Sequence, residues 1–410
     1  MYNMGMLFKK RRVYMDFASA TPLDPSVKSA YVHALSVYGN PSSVHQEGRD
    51  AKHILEESRR RIARTLSVRP ETLTFTGSGT EGNNLAIKGL VLSLHERGMA
   101  FSDMHIIFSG FEHSSVLGPA EWLKREGVAV SFVPPSPDGL VQTDDVRAVV
   151  RPETVLVSVC AVQGEIGTIQ PLRDIRTALE VVRTKRDQKA YQYAPEAHFP
   201  ALHTDASQGT LFLDMSPERL GVDMATYDAQ KIMGPKGVGV LYKHSSVSLA
   251  PIIHGGKQER GIRAGTENVP AIVAMARAFE CAHRGREKRT RTVTNLQGYF
   301  ISRIQKEIPE SKVTGSLKKR IANNVHVSFP NVDADYLTVL LDKEGVAVSP
   351  RSACIASGEL STLASALELG DVYERGTLRF SLSPHTSKGD IEHVIRALKK
   401  VKTLATINKK

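Results

Sequence analysis

The chain has 410 residues, a formal net charge of +11, 41% hydrophobic and 24% charged residues. That composition is ordinary for a globular protein, and the length exceeds what one core usually fills, so two domains are expected. No apolar run is long enough for a membrane helix, and the basic stretch 1–12 lacks the apolar core of a secretory signal. Three cysteines, Cys160, Cys281 and Cys354, supply neither a disulfide framework nor metal-ligand spacing. A reducing, cytoplasmic setting is therefore expected.

Residues 15–22 read as a short strand and a turn punctuated by Pro22 and Pro25, and Asp24 caps a helix that Pro25 opens. A loop at 38–43 precedes a long amphipathic pattern over 44–66. A compact strand at 73–75 runs into Thr76-Gly77-Ser78-Gly79-Thr80-Glu81 and a helix over 82–95. Strand, small polar loop and helix start expose backbone N–H groups, and the helix dipole favours an anion there. Gly77, Gly79 and Gly82 also match the Gly-x-Gly-x-x-Gly dinucleotide spacing. That fingerprint wants an acid at the far end of the next strand, whereas Asp103 precedes the strand at 105–109. A generic phosphate site is the reading.

The alternation continues with a strand at 105–109, a helix at 114–126, a strand at 128–133 and a turn at Asp138-Gly139. Thr143 caps a short helix to 150, the apolar run 155–159 suits a strand buried on both faces, and Pro171 opens a helix to 183. This pattern predicts a mostly parallel, helix-covered sheet. Between 185 and 200 the composition turns polar and aromatic, as for a surface insertion.

A strand then ends near Asp205, and Lys231 stands just ahead of the turn-rich run Gly234 to Gly239 and an apolar strand at 238–242. An acid and a lysine thus sit at the ends of neighbouring extended segments, where open α/β sheets gather their chemistry. A lysine there can form a Schiff base with an aldehyde cofactor, and a carboxylate can pair with that cofactor's pyridinium nitrogen. The loop 259–266 leads to a long helix from 270, and strands at 325–328, 346–348 and 377–380 with a closing helix after 388 form an α+β unit. Basic clusters near 9–12, 284–291, 318–320 and 399–410 read as solvated helix faces and chain ends, because no nucleic-acid motif accompanies them; direct DNA binding is not expected.

Several separated motifs coincide: Asp16-Phe17-Ala18-Ser19-Ala20-Thr21-Pro22, Gly39-Asn40-Pro41-Ser42-Ser43, Phe75 to Glu81, Glu112-His113, Asp205-Ala206-Ser207-Gln208, Lys231-Ile232-Met233-Gly234-Pro235-Lys236-Gly237, Arg263-Ala264-Gly265-Thr266, Ser352-Ala353-Cys354 and Leu378-Arg379-Phe380-Ser381. Together they resemble the class V aminotransferase family of fold-type-I pyridoxal-phosphate enzymes, most of all cysteine desulfurases of the NifS/IscS type, from about residue 14 to 398.

The resemblance implies an α/β fold: a large domain over 16–262 with a mostly parallel, helix-covered sheet, and a smaller α+β domain over 263–410 joined by 1–15. It implies pyridoxal 5'-phosphate as cofactor, with Lys231 as the Schiff-base lysine, Asp205 on the pyridinium nitrogen, Gln208 on the phenolic oxygen and His113 stacked on the ring and moving protons. Gly79 and Thr80 match phosphate contacts, and Thr266 matches one reaching in from a second subunit, which implies a homodimer. Arg379 matches the clamp on the substrate carboxylate, for which its planar fork is suited, with Asn40 nearby.

Cys354 matches the nucleophile that takes sulfur from L-cysteine. It lies among small residues beside Arg351, which favours the thiolate. The implied outcome is alanine and a Cys354 persulfide for iron–sulfur assembly or tRNA thiolation, with a scaffold or other sulfur-acceptor protein as partner; Cys354 could also contact a transferred cluster. No resident metal is implied.

Two departures bear on cofactor affinity and rate. The family's Ser-x-His before the Schiff-base lysine is Asp228-Ala229-Gln230, and its Asn before Glu165 is Gly164, with Gln163 as the candidate substitute from the adjacent position. Another class V reaction, such as that of a selenocysteine lyase or an aminotransferase, and a non-catalytic scaffold are the alternatives.

Overall fold

Short runs rich in β-branched and aromatic residues form the strands. In the computed structural model, which describes residues 11–185, 187–350, 363 and 367–405, they are β1 (Val13–Tyr14), β2 (Leu73–Thr76), β3 (His105–Ser109), β4 (Ala129–Val133), β5 (Thr154–Ser158), β6 (Ala201–Asp205), β7 (Met224–Asp228), β8 (Gly239–Lys243), β9 (Lys312–Val313), β10 (Asn324–Ser328), β11 (Val346–Ala347) and β12 (Thr377–Ser381). Cys354 and its neighbour Arg351 lie outside the described residues.

The main sheet has the order β2-β8-β7-β6-β5-β3-β4. Only β8 runs against its neighbours β2 and β7; the other pairings are parallel. The expectation of a mostly parallel, helix-covered sheet with a smaller α+β unit therefore holds. β3, β5 and β7 are buried along their whole length, as strands covered on both faces must be. β7 escaped the sequence reading because Met-Ala-Thr-Tyr-Asp shows neither alternation nor a continuous apolar run. Since the parallel strands share a direction, the carboxyl ends of β2, β3, β5, β6 and β7 open on one edge, and the reversed β8 begins there.

Some helix limits differ from the pattern. The helix Gly79–Glu96 starts three residues before the expected 82, because Ser78 caps it by accepting from Glu81 N. Gln142, not Thr143, holds the cap position of Thr143–Val149, without a side-chain cap bond. The long helix expected from 270 is two, Val269–His283 and Arg286–Glu307, broken at Gly285 with φ 68°; glycine adopts that left-handed conformation without the steric cost of a Cβ.

The segment after 185 is not simply a surface insertion. Ala190, Ala194, Ala197 and Phe199 are buried against a core that includes Leu90, Leu94 and Leu241, and Tyr191 meets Phe199 edge to face at 5.6 Å. Its small and aromatic residues anchor it while Asp187, Lys189 and Glu196 stay exposed.

Towards the C-terminus β12, β10 and β9 form an antiparallel sheet and β1 lies parallel to β11. Arg11 and Arg12 pair with Asp390 and Asp342. The helix Val269–His283 packs along Pro25–Ala34 and Gln46–Leu66. Among the described residues no helix is long and apolar enough to cross a membrane.

Candidate active site

Lys231 ends a single 3-10 turn, Ala229–Lys231, directly after β7. The turn is held by Asp228, whose Oδ1 accepts from Gln230 N at 3.0 Å. Lys231 Nζ donates to Ala18 O and Ser19 O, both at 2.7 Å. Burial lowers its pKa, against the opposing pull of Asp228, Asp205 and Asp16. An amine kept towards its neutral form is the nucleophile that carbonyl chemistry requires.

Asp205 closes β6, one strand away. Its Oδ1 accepts from Ser207 N at 2.9 Å and its Oδ2 from Asn83 Nδ2 at 2.8 Å. Gln208, in the following turn, donates from Nε2 to Ala18 O at 2.9 Å, so Gln208 and Lys231 share one carbonyl. His113 caps the helix Ser114–Arg125, with Nδ1 accepting from Ser115 N at 3.1 Å and lying 2.8 Å from Ser115 Oγ. Burial lowers its pKa while Asp205 opposes the shift.

Beside it, Glu112 is buried and its pKa is raised to about 8, chiefly by desolvation. Its Oε1 accepts from Ser109 Oγ and from Cys160 N. Cys160 is buried next to Glu112, and its thiol is pushed up by desolvation, as suits an inert thiol.

The site also includes the start of Gly79–Glu96, where the helix dipole favours an anion. Gly77 N donates to Glu81 Oε2 at 2.8 Å, and Arg263 Nε binds Glu81 Oε1 at 2.9 Å. The loop carrying Arg263 is fixed from below: Glu259 and Arg260 take φ of 45° and 60°, costing about 1–3 kcal/mol each. A buried pair, Arg59 to Glu259 at 2.6 Å, with Phe75 N also donating to Glu259 at 2.8 Å, over-determines that turn.

A Cβ on Gly79 would lie 3.4 Å from Ser207 Oγ and 3.1 Å from Asp228 Cβ, so the missing side chain keeps the cradle open. Ser207 Oγ is buried without a hydrogen-bond partner among the described residues. Gly79 N itself donates to Asp228 Oδ2 at 3.0 Å. Asp228 thus sits on the helix N-terminus, bonded to a backbone donor.

Arg379, on β12 and 4% exposed, donates from Nη1 to Gly164 O at 3.0 Å and from Nη2 to Asp16 Oδ1 at 3.0 Å and Ser19 Oγ at 2.6 Å. Its Nε is buried without a partner among the described residues. Lys231 and Arg379 therefore meet on the 16–19 segment. Gln163 does not stand in for the missing asparagine: its Oε1 accepts from Glu165 N and Ile166 N, and its Nε2 donates to Phe111 O.

Thr80, Thr266 and Asn40 are exposed. Asn40 Oδ1 accepts from Ser42 N at 2.9 Å within its own turn. The site thus brings together Lys231, Asp205, Gln208, His113, Gly79 and Arg379. Asp16, Asn83, Ser115 and Ser207 had no assigned role in the sequence. For Asn83 a signal existed, since four residues beyond Gly79 it shares the inner face of the first turns.

A lysine and an acid on adjacent strand ends, beside a capped helix N-terminus and a buried arginine, define a class of enzyme rather than a surface pattern. The chain belongs to the class V aminotransferase family: the family profile described as Aminotransferase class-V matches residues 13–394.

Within it, the chain is 36% identical over 394 residues to a protein named cysteine desulfurase IscS from Dictyoglomus turgidum, covering 96% of this chain and 95% of that one. It is 33% identical over 395 residues to the protein of the same name from Methanosarcina thermophila, covering 96% and 92%. Among solved structures it is similar to a NifS-like protein, with a TM-score of 0.85 and 30% identity over 96% of this chain and 100% of that one. It is also similar to SspA in complex with cysteine, with a TM-score of 0.74 and 31% identity over 91% and 99%.

Proposed function

We propose that the protein is a pyridoxal 5'-phosphate-dependent cysteine desulfurase. The observation that carries this reading is the pair Lys231 and Asp205 on adjacent strand ends, the amine's pKa lowered by burial and the carboxylate held by two donors. The residues present fit the cofactor. Gly79 leaves a cradle at a helix N-terminus, Ser207 Oγ offers an unused hydroxyl there, and Asp205 and Gln208 lie beyond. A misfit is the Asp228 carboxylate on Gly79 N. When bound, the cofactor supplies an electron sink for the charge left by loss of the substrate α-proton.

The chain's own residues do the rest. Arg379 holds the carboxylate of L-cysteine through its planar fork, sharing it with Asp16. Lys231 Nζ takes the proton from the substrate Cα and returns one to the product. The Cys354 thiolate attacks the substrate sulfur; the C–S bond breaks with its electron pair left on Cβ, an S–S bond forms, Cβ takes up the proton that the Cys354 thiol gave up, and alanine departs from a Cys354 persulfide. A protein acceptor, a scaffold for iron–sulfur clusters or a tRNA-thiolation partner, then receives the sulfur. Division of the chain at 262/263, Thr80 and Thr266 at the phosphate, the latter from the partner of a homodimer, Asn40 near the substrate and a cytoplasmic location complete this reading.

Cys354→Ala tests it. The variant should keep the cofactor's visible absorption and lose alanine and sulfide formation from L-cysteine; retained turnover would move the protein to another class V reaction. Asp228 on the helix N-terminus motivates a second reading, a scaffold that binds no cofactor. Purified protein without a visible cofactor band would favour it.

A further inference from the structure

Asn83 is fully buried on the second turn of Gly79–Glu96, and its Nδ2 lies 2.8 Å from Asp205 Oδ2 and 2.8 Å from Ser115 Oγ. An amide nitrogen carries two hydrogens, so both bonds are satisfied at once. The flipped amide would aim Oδ1 at a carboxylate, so Asp205 fixes its orientation.

Ser115 Oγ, having accepted from Asn83, has its own hydrogen to give, and His113 Nδ1 stands 2.8 Å away. The same Nδ1 also accepts Ser115 N–H at 3.1 Å. A ring nitrogen that accepts from a backbone N–H holds no proton, so in neutral His113 the proton is on Nε2. Taking a proton at Nδ1 would break the backbone bond and reverse the hydroxyl.

We propose that Asn83 is a positioning residue that couples Asp205 to His113: one hydrogen keeps Asp205 Oδ2 an acceptor, and the other directs Ser115 to hold His113 as the Nε2–H tautomer. The consequence is a division of labour. His113 presents a hydrogen-bond donor at Nε2, and removal of the substrate α-proton falls to Lys231 Nζ alone. This deepens the proposed function and rests on its cofactor roles for Asp205 and His113.

The test uses the holoenzyme with labelled histidine nitrogens, together with its visible spectrum. Wild type should show His113 protonated at Nε2 and not at Nδ1. Ser115→Ala should move the Nδ1 resonance and leave the pH midpoint of the cofactor band in place. Asn83→Leu should move both, the midpoint by about one pH unit, the scale of one lost hydrogen bond to a carboxylate. A proton on Nδ1 in wild type, or an Nδ1 resonance unmoved in Ser115→Ala, overturns the inference even if Asn83→Leu fails to fold. A folded Asn83→Leu with neither signal changed overturns it equally. Wild type without a cofactor band refutes the proposed function instead, and the nitrogen resonances of the same sample still decide the coupling.

Discussion

Replacing Asp228 by serine should tighten cofactor binding and weaken the cofactor-free protein. Asp228 is 7% exposed, and its Oδ2 occupies Gly79 N at 3.0 Å, the donor a phosphate would use. Unit charges about 4 Å apart repel by ~1 kcal/mol in water and ~4 kcal/mol at an effective dielectric of about 20. Thr80, at the same helix end, is exposed, so the lower part of that range applies. A net relief of ~1.4 kcal/mol is about tenfold in the dissociation constant.

Without cofactor the sign reverses. The carboxylate caps a helix N-terminus and satisfies Gly79 N, a contribution of ~1 kcal/mol, whereas serine still reaches Gln230 N. Cofactor dissociation constants at matched pH and salt, and denaturant midpoints of both cofactor-free proteins, provide the measurement. Weaker cofactor binding by Asp228→Ser would show that the carboxylate supports the bound phosphate, and would refute the reasoning.

Other outcomes follow from the same geometry. Lys231→Ala should lose both the cofactor's visible band and sulfide release, whereas Lys236→Ala, exposed on the neighbouring turn, should keep the band; turnover by purified Lys231→Ala would contradict the assignment. Arg379→Lys should raise KM for L-cysteine by about tenfold or more, since a point charge cannot replace a fork that donates to Gly164 O and Asp16 together; steady-state kinetics read this. Glu112 has a folded-state pKa of about 8 against an ordinary value of 4.5. The native state therefore binds more protons than the unfolded chain between these values, and the stability this supplies is lost as pH rises through 8. Glu112→Gln should flatten that loss, and urea midpoints at pH 5.5 and 8.5 that fall equally in both proteins would exclude Glu112 as its source.

The alternation of strands and helices, the small polar loop after β2 and the lysine ahead of Gly234 to Gly239 are local features, set by propensity and turn chemistry, and the sequence by itself determined them. So was the family, because its motifs keep their order along the chain. Helix starts were less legible: Gly79 reads as loop until Ser78 is seen to cap it.

What only the tertiary structure decided is long-range pairing. β7 carries no periodic signal and becomes a strand through burial between β6 and β8. The segment after 185 looked like surface until Phe199 was placed in a core. Asp16 meets Arg379 across 363 positions, Asn83 meets Asp205 across 122, and Asp228 meets Gly79 across 149. No local pattern encodes such contacts. They arise because parallel strands bring their carboxyl ends to one edge, and because a buried polar group must find its partner wherever the packing leaves one.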